Sequence, residues 1–456
     1  MQSNTNERMP KILSPGLRLF FGFWVSIIAL FVIVGAVSVP FFFESSSILY
    51  KFGSDRQLLR SGQVVGVVAG CLLLLQIILG ARLKCLDRIF GLSNLFKSHR
   101  INAIIIACLI SIHPILIFIS DDRISIPLEF RYWPEFAGLF LLLLIMPMVI
   151  SSYWRAGIRL SFHRWWPIHR GAAILIVIAF WVHVLSVSET FEQKIPKMLA
   201  FCAMGLCGLI FLWIRTRPIR DRRKSLLVSA VEQAGGNAGC LKIISNTNHT
   251  PAYIPGQFCF ITILSQHVSS EEHPFTIASS PTRLSGLEFI VRTTGDWTCQ
   301  LKNLQPEDRI LINGPFGLFS HLRLPENKEI IMIAGGIGIT PMLSMLRYMA
   351  DHNDQRKITL IWSNQTQKHI IFPREFQNLA VQLKWLRIIH VLTREPEYTA
   401  EKGRLDRPKL KRILSDCSIS SAIFVCGPDK MMKEVYNSLI SIGFRRHMIF
   451  RERFSL

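Results

Sequence analysis

The chain has 456 residues, of which half are hydrophobic and only 18% are charged. That balance disfavours a simple soluble protein and is typical of a membrane protein. The formal net charge of +21 fits basic loops beside anionic lipid better than nucleic-acid binding, because the basic residues lie between apolar segments. None of the ten cysteines forms a CxxC pair, so neither a zinc site nor a disulfide framework is indicated.

Six apolar segments in the first half of the chain are long enough to cross a bilayer as helices, which takes about 20 residues each. They cover residues 19–39, 62–83, 101–120, 136–153, 171–187 and 198–214. The first is too long for a signal peptide, so we expect an uncleaved anchor. The N-terminal arm and the loops after the second, fourth and sixth segments hold eighteen Lys and Arg, against seven in the other loops. This asymmetry predicts that the N-terminus and the C-terminal half are cytosolic.

The third and fifth segments carry two pairs of histidines. His99 and His113 are fourteen residues apart, as are His169 and His183. Fourteen residues at about 100° each put both members of a pair on nearly one helix face, roughly 21 Å apart along the axis. Because the two helices run in the same direction, His99 shares a depth with His169, and His113 with His183. Two histidines at one depth can hold a haem iron from both sides, so the pattern predicts two b-type haems with these four residues as metal ligands.

Single histidines inside membrane segments have other uses. One alone is more often a packing residue or a member of a proton relay. Four in matched register favour haem, and His163, which is out of register, is interpreted as a surface residue. A proton-coupled transporter remains the alternative, and it predicts a colourless protein.

Beyond residue 214 the long apolar runs stop and short strands begin, at residues 259–264 and 287–292 among others. Short strands separated by Gly and Pro turns are typical of a small antiparallel barrel. Phe275 can stack on an aromatic ring, and Thr276 can hydrogen-bond its polar edge. Arg292 and the backbone N–H groups after Gly295 can hold phosphate.

A different pattern follows. An apolar strand at residues 329–334 runs into Gly335-Gly336-Ile337-Gly338 and then an amphipathic helix. Strand, glycine turn and helix N-terminus is the arrangement that binds dinucleotide phosphates. Further strands at 358–362, 387–392 and 422–425 alternate with helices and indicate a parallel sheet. A Cys-Gly-Pro turn at residues 426–428 follows the last of these strands.

Taken in this order, the features resemble the ferric reductase/NADPH oxidase superfamily. The paired histidines in a six-segment core are similar to its haem domain. HPFTIASSP (273–281), VRTTGDWT (291–298) and GPFG (314–317) are similar to its flavin module, and AGGIGITP (334–341) and CGPDKM (426–431) to its nicotinamide module of ferredoxin-reductase type. The resemblance implies a multidomain membrane protein: a six-helix transmembrane haem bundle (1–217), an antiparallel β-barrel FAD domain (218–325) and an α/β parallel-sheet NAD(P)H-binding domain (326–456).

The resemblance also implies roles for single residues. The ring of FAD would be held by His273, Pro274, Phe275 and Thr276. Its phosphates would be served by Arg292, Trp297 and Thr298. The pyridine nucleotide would be bound by Gly335, Gly336, Gly338 and Thr340. The hydride-transfer site would be lined by Cys426, Gly427 and Pro428 and closed by the pair Glu452 and Phe454.

Three departures from the family pattern bear on the acceptor and the nucleotide. Ile117 stands where the oxidases have a histidine, and Val67 where they have an arginine. Both differences disfavour a dedicated superoxide generator. Gln365 stands where members that prefer NADPH have an arginine, so NADH is a candidate beside NADPH, with Lys368 as a substitute cation.

These expectations describe a transmembrane flavohaem reductase that passes electrons from cytosolic NAD(P)H through FAD and two haems to an external acceptor, a ferric chelate or O2. Ferric-reductase-like activity is the leading interpretation. The alternatives are a bacterial NADPH oxidase that makes superoxide and, from another class, a redox sensor or electron-relay subunit without turnover. Membrane lipid is an expected partner and nucleic acid is not. The compact chain suggests a bacterial inner membrane.

Overall fold

The computed structural model describes residues 9–10, 12–43, 53–120, 126–155, 157–187, 191, 193–221, 226–244, 251–282, 286–325, 328–398 and 400–453. The chain divides into two compact units. One consists of residues 19–83 and 94–218, and the other of residues up to Arg18, residues 84–93 and residues 219–456. The segment Lys84–Ser93 therefore belongs to the unit that contains the C-terminal half.

Six helices in the described residues are long and apolar enough to cross a membrane, which confirms that prediction. Their bounds are α1 (Pro15–Phe42), α2 (Gly53–Gly80), α4 (Leu92–Ser120), α5 (Trp133–Tyr153), α6 (Phe162–Val187) and α7 (Lys194–Asp221), and the short helix α3 (Lys84–Phe90) precedes α4. Three begin nine residues before the predicted segments, α2 at Gly53, α4 at Leu92 and α6 at Phe162. His99 and His169 lie in these additional turns and are therefore helical.

The membrane unit packs around a small apolar core. Ile106 of α4, Leu141 and Ile145 of α5 and Ile176 of α6 are buried there. Large side chains elsewhere on the helices are exposed, for example Phe31 on α1 and Leu209 on α7. Exposed apolar side chains of this kind suit a surface that lipid covers, since hydrocarbon solvates them as well as a protein core does.

The first sheet of the other unit is antiparallel throughout, as predicted. Its strands are β1 (Leu226–Gly235), β2 (Ala238–Ile244), β3 (Phe258–Leu264), β4 (Glu272–Thr276), β5 (Leu287–Arg292) and β6 (Arg309–Phe316). They lie in the order β4-β3-β6-β1-β2-β5. A single bridge between Ile277 and Phe289 joins the two edges, and apolar side chains such as Ile261 and Phe289 fill the interior. A short helix, α8 (Asp296–Gln300), follows β5.

The second sheet is parallel, which confirms the α/β prediction. Its strands are β7 (Ile330–Gly335), β8 (Ile358–Asn364), β9 (Leu386–Leu392), β10 (Glu401–Lys402), β11 (Ala422–Cys426) and β12 (Ile449–Glu452), in the order β10-β9-β8-β7-β11-β12. The helices between them are α9 (Thr340–Asp351), α10 (Pro373–Gln382), α11 (Arg407–Ile413) and α12 (Asp429–Ile442). Strands β7 and β11 are neighbours, so the turns that follow them meet at one edge of the sheet.

A buried arginine ties this sheet to the antiparallel one. Arg347 on α9 donates to the Ala278 carbonyl at 3.0 Å and to the Glu288 carboxylate at 2.6 Å. It also donates to Glu375 on α10 at 2.7 Å. Because its side chain is only 4% exposed, these partners are needed to offset the cost of burying the charge. The cluster holds β5, and with it Arg292, beside the edge of the parallel sheet at which the turns after β7 and β11 meet.

Candidate functional site

The structure places His99 of α4 close to His169 of α6. The rings of His99 and His169 lie with their centroids 6.4 Å apart. Two metal–imidazole bonds of about 2 Å each, plus the half-widths of two rings, span roughly 6 Å. The spacing therefore suits one iron held between them.

Hydrogen bonds orient His113 and His183, which we call the outer pair because the predicted orientation places them away from the cytosol, with His99 and His169 as the inner pair. His113 Nδ1 lies 2.8 Å from the Gly62 carbonyl oxygen, and His183 Nδ1 lies 3.1 Å from that of Pro134. A carbonyl only accepts, so each Nδ1 carries the proton and donates it. This leaves each Nε2 with its lone pair available for a metal, the tautomer that metal-binding histidines adopt.

Two glycines make room for these rings. A Cβ on Gly66 of α2 would lie 2.9 Å from the His113 ring, and one on Gly138 of α5 would lie 2.6 Å from the His183 ring. Such distances are shorter than van der Waals contact, so a larger residue at either position would displace the histidine. At the inner pair, the rings of Trp165 and Trp166 lie 4.6 Å and 6.0 Å from that of His169. The donor set and its surroundings fit haem.

The predicted flavin-ring residues lie on one strand. His273, Pro274, Phe275 and Thr276 belong to β4, which pairs with β3 so that Phe258 faces Thr276. The first three are partly exposed and Thr276 is buried. His273 Nε2 lies 2.9 Å from a Glu271 carboxylate oxygen. A partly exposed strand of polar and aromatic groups suits a flat ring that stacks and accepts hydrogen bonds.

Trp297 and Thr298 lie in α8, where their side chains already have partners. Trp297 is buried, its indole N–H donates to the Ser269 carbonyl at 2.7 Å, and its ring lies 4.2 Å from that of His273. Thr298 Oγ1 accepts from the Gly295 N–H at 3.0 Å. The backbone N–H groups of this turn can also donate to phosphate, and the predicted phosphate role of the two residues stays a prediction.

Arg292, at the end of β5, reaches the glycine turn of the nucleotide domain. A Cβ on Gly336 would lie 2.8 Å from an Arg292 guanidinium nitrogen. Gly336 also has a φ of +54°, which other residues rarely adopt. The Trp362 indole N–H donates to the Gly336 carbonyl at 3.0 Å. A cation and a rigid turn therefore meet where both phosphate sites are predicted.

The glycine turn and the Cys-Gly-Pro turn pack backbone to backbone. A Cβ on Gly338 would lie 2.3 Å from the Cys426 carbonyl oxygen, and one on Gly427 would lie 3.0 Å from Gly335 Cα. Only glycines allow this approach. Thr340 begins α9 and donates to the Ile337 carbonyl at 3.1 Å, which closes the turn. The N-terminus of α9 thus lies at the carboxyl edge of the parallel sheet, the usual place for a dinucleotide.

Cys426 and Glu452 face each other on neighbouring parallel strands. Burial raises the pKa of the Cys426 thiol well above its usual range, and Glu452 adds to the effect, so Cys426 is a neutral thiol at physiological pH and no nucleophile. Burial also raises the pKa of Glu452 to about 8, with a further contribution from the charge of Asp87. Phe454 lies outside the described residues.

Sequence reasoning missed two residues of this region. Trp362 was assigned only to a strand, although it fixes the glycine turn. Asp87 was treated as part of a loop, yet it accepts a hydrogen bond from the Gly317 N–H at 3.2 Å. The indole N–H of a buried tryptophan needs a hydrogen-bond partner, and this requirement could have drawn attention to Trp362. Nothing in the sequence near Asp87 indicates its role.

Three protein families match the chain in the predicted order. The ferric reductase like transmembrane component matches residues 65–180, the FAD-binding domain residues 229–320 and the oxidoreductase NAD-binding domain residues 332–437. The chain belongs to the ferric reductase/NADPH oxidase superfamily. It is a membrane oxidoreductase of that superfamily, with an FAD domain and a nicotinamide-nucleotide domain of ferredoxin-reductase type.

Two relatives of known name are similar to part of this chain. Sulfhydrogenase 1 subunit gamma of Pyrococcus furiosus is 30% identical over 200 residues, which is 43% of this chain and 66% of the relative. NADH-cytochrome b5 reductase 2 of Mycosarcoma maydis is 31% identical over 168 residues, 36% of this chain and 48% of the relative. The chain thus spans less than two thirds of the length of these relatives. The FAD/NAD-binding domain of a Vibrio cholerae nitric oxide dioxygenase aligns with a TM-score of 0.45 and 18% identity, over 50% of this chain and 98% of that one.

Proposed function

We propose that the chain is a transmembrane reductase that moves electrons from cytosolic NAD(P)H to an acceptor on the opposite side of the membrane. FAD and two b-type haems would be its resident cofactors and a ferric chelate its acceptor. The observation that carries the proposal is the coexistence in one chain of two histidine pairs and a nucleotide-binding edge. Bound FAD takes up two electrons at once and haem iron takes one at a time, which suits this combination.

At the nucleotide end, the chain's own residues would bind the cofactor phosphates and orient the reacting rings. The N–H groups at the start of α9 and the Arg292 guanidinium would hold phosphate groups by charge-assisted hydrogen bonds. Gly338 and Gly427 let the two turns approach closely, so that Cys426 and Glu452 lie at the same edge. Neutral side chains there would keep water and competing charge away from the reacting atoms.

In the membrane, the four histidines would hold and orient the haems. His99 with His169 and His113 with His183 would each supply two nitrogen ligands. Bis-histidine iron has no open coordination position, so the external acceptor would be reduced without binding the iron. The excess of basic residues in the loops that share a side with the C-terminal half supports a cytosolic nucleotide site.

The proposal is tested with purified chain in liposomes that contain an impermeant ferric chelate. NADH added outside is expected to reduce the trapped chelate through molecules whose nucleotide domain faces outward. The visible spectrum is expected to show a b-type signal of about two haems per chain. A chain without haem, or chelate reduction only on the NADH side, would contradict the proposal. Dye reduction that superoxide dismutase abolishes would favour the oxidase instead.

Nucleotide preference is predicted to depend on Gln365. This exposed residue directly follows β8, at the same edge as Gly335 and Cys426. We expect Gln365→Arg to raise the ratio of kcat/KM for NADPH over NADH by about 10-fold, because a charged hydrogen bond contributes roughly 1.5 kcal/mol. Steady-state kinetics with both nucleotides measure it. Gln355→Arg, which precedes β8 at the opposite edge, is the matched control, and an equal change in both variants would refute a local effect.

A further inference from the structure

Asp87 is a buried carboxylate on the short helix α3, in the segment that belongs to the same compact unit as the C-terminal half. Its side chain is 2% exposed. One carboxylate oxygen accepts from the Leu92 N–H at 2.8 Å. Both oxygens lie 3.2 Å from the Gly317 N–H. The carboxylate thus joins the start of α4 to the turn at Gly317, the residue directly after β6.

Glu452 lies against the same turn. A Cβ on Gly317 would be 4.0 Å from Glu452 Oε2, and the Ser93 hydroxyl donates to Oε1 at 3.4 Å. The Glu452 residue is 8% exposed. Two buried carboxyl groups therefore flank Gly317, one from the segment before α4 and one from the last strand of the nucleotide domain.

Asp87 and Glu452 have different charged neighbours. Arg18, Arg88 and Arg323 act on Asp87. Among the described residues, the ionisable groups that act on Glu452 are Asp87 and the Cys426 thiol, and neither is a cation. The environment of Asp87 is therefore the better one for a negative charge.

The difference between these two environments determines which of the two carboxyl groups is more readily protonated. Burial raises the pKa of both carboxyl groups. For Asp87 the two N–H donors and the arginines oppose that rise. For Glu452 the charge of Asp87 adds to it, and the pKa reaches about 8. Carboxyl groups coupled in this way titrate as a pair, and the environment of Glu452 is the one that favours the proton.

We propose that Asp87 is a positioning residue that keeps Glu452 protonated, so that the two carboxyl groups beside Gly317 share one proton. A buried carboxylic acid held neutral at pH 7 can donate a hydrogen bond, which a carboxylate cannot. Resting on the function proposed above, Glu452 would present such a donor at the flavin and nicotinamide site. Asp87 would thus set the charge of that site from outside the barrel and the parallel sheet.

The test follows the infrared absorption of the protonated carboxyl group. The band that wild type shows and Glu452→Gln lacks is expected to disappear with a midpoint near pH 8. Asp87→Asn keeps an oxygen acceptor for Gly317 and Leu92 but removes the charge, so the midpoint is expected to fall by about one pH unit or more. Glu232→Gln, an exposed carboxylate on β1, is the matched control and is expected to leave the midpoint unchanged.

A second variant covers the case in which Asp87→Asn does not fold. Arg323→Gln removes a cation that stabilises the Asp87 charge, so the proton moves toward Asp87 and the Glu452 midpoint again falls. A midpoint equal to wild type in a folded Asp87→Asn or Arg323→Gln protein overturns the proposal, as does wild type without the band at neutral pH. The infrared measurement needs no electron transfer. Its result can therefore be interpreted even if the protein lacks the proposed reductase activity.

Discussion

His113→Leu is expected to reduce the haem content by about half, from two haems to one. Leucine has no ligand atom, and His183 alone cannot hold the iron from both sides. Electrons would then reach the inner haem and no further, so reduction of a trapped ferric chelate is expected to fall to background. NADH oxidation with a small soluble dye on the cytosolic side is expected to continue. Pyridine haemochrome content and the two acceptor assays measure the three effects.

The matched control is His163→Leu, because His163 lies out of the register of the two pairs. We expect it to retain both haems. If His113→Leu kept the full haem content and full reduction across the membrane, the outer pair would not bind haem, and the histidines would have to be explained as packing residues or a proton relay.

A second substitution tests the same site without removing a ligand. Gly66→Ala places a methyl group 2.9 Å from the His113 ring, so the outer haem is expected to be lost or its spectrum shifted. Gly205→Ala on α7 has no atom within 4 Å of the new Cβ and is expected to be silent. This pair of variants separates the effect of ring position from that of changing any helical glycine.

The six membrane helices were predictable because a bilayer demands long apolar runs. Their beginnings were not. The first nine residues of α4 include Lys97, His99 and Arg100, and those of α6 include Arg164, His169 and Arg170. Hydropathy therefore excludes these turns, but their backbone hydrogen bonds continue the helix. The predicted histidine register does not depend on these bounds, because the fourteen-residue spacing within each pair is the same wherever a helix begins.

The sequence predicts six strands of the C-terminal half to within two residues at each end, namely β3, β5, β7, β8, β9 and β11, because each is a largely apolar run. The other six strands, β1, β2, β4, β6, β10 and β12, received no predicted bounds. Contacts far apart in sequence were not predictable. Asp87 and Gly317 are 230 residues apart, and nothing local in the α3 sequence indicates a partner. The motif around Trp297 likewise did not indicate that its ring packs in the interior of the antiparallel domain, and its phosphate role stays a prediction.

Gly338→Ala is expected to disable the nucleotide site while leaving the membrane unit intact. The new Cβ would lie 2.3 Å from the Cys426 carbonyl oxygen and 2.9 Å from the Gly427 backbone nitrogen. Both atoms belong to the backbone at the end of β11, a strand whose five residues are all buried. Neither can move without breaking the parallel pairing of β11 with β7, so we expect a loss of about 3 kcal/mol in the free energy of unfolding of this domain.

The catalytic effect should be larger, because the glycine turn and the Cys-Gly-Pro turn can no longer meet. Displacement of reacting groups by about 1 Å costs roughly 100-fold in rate, and kcat/KM for NADH with a soluble dye is expected to fall by at least that factor. Dithionite, which bypasses the nucleotide, should still reduce both haems. Gly239→Ala on β2, where the new Cβ meets only the Glu232 carbonyl at 3.8 Å, is the control. Unchanged kcat/KM in Gly338→Ala would mean that close contact between the two turns is not what forms the nucleotide site.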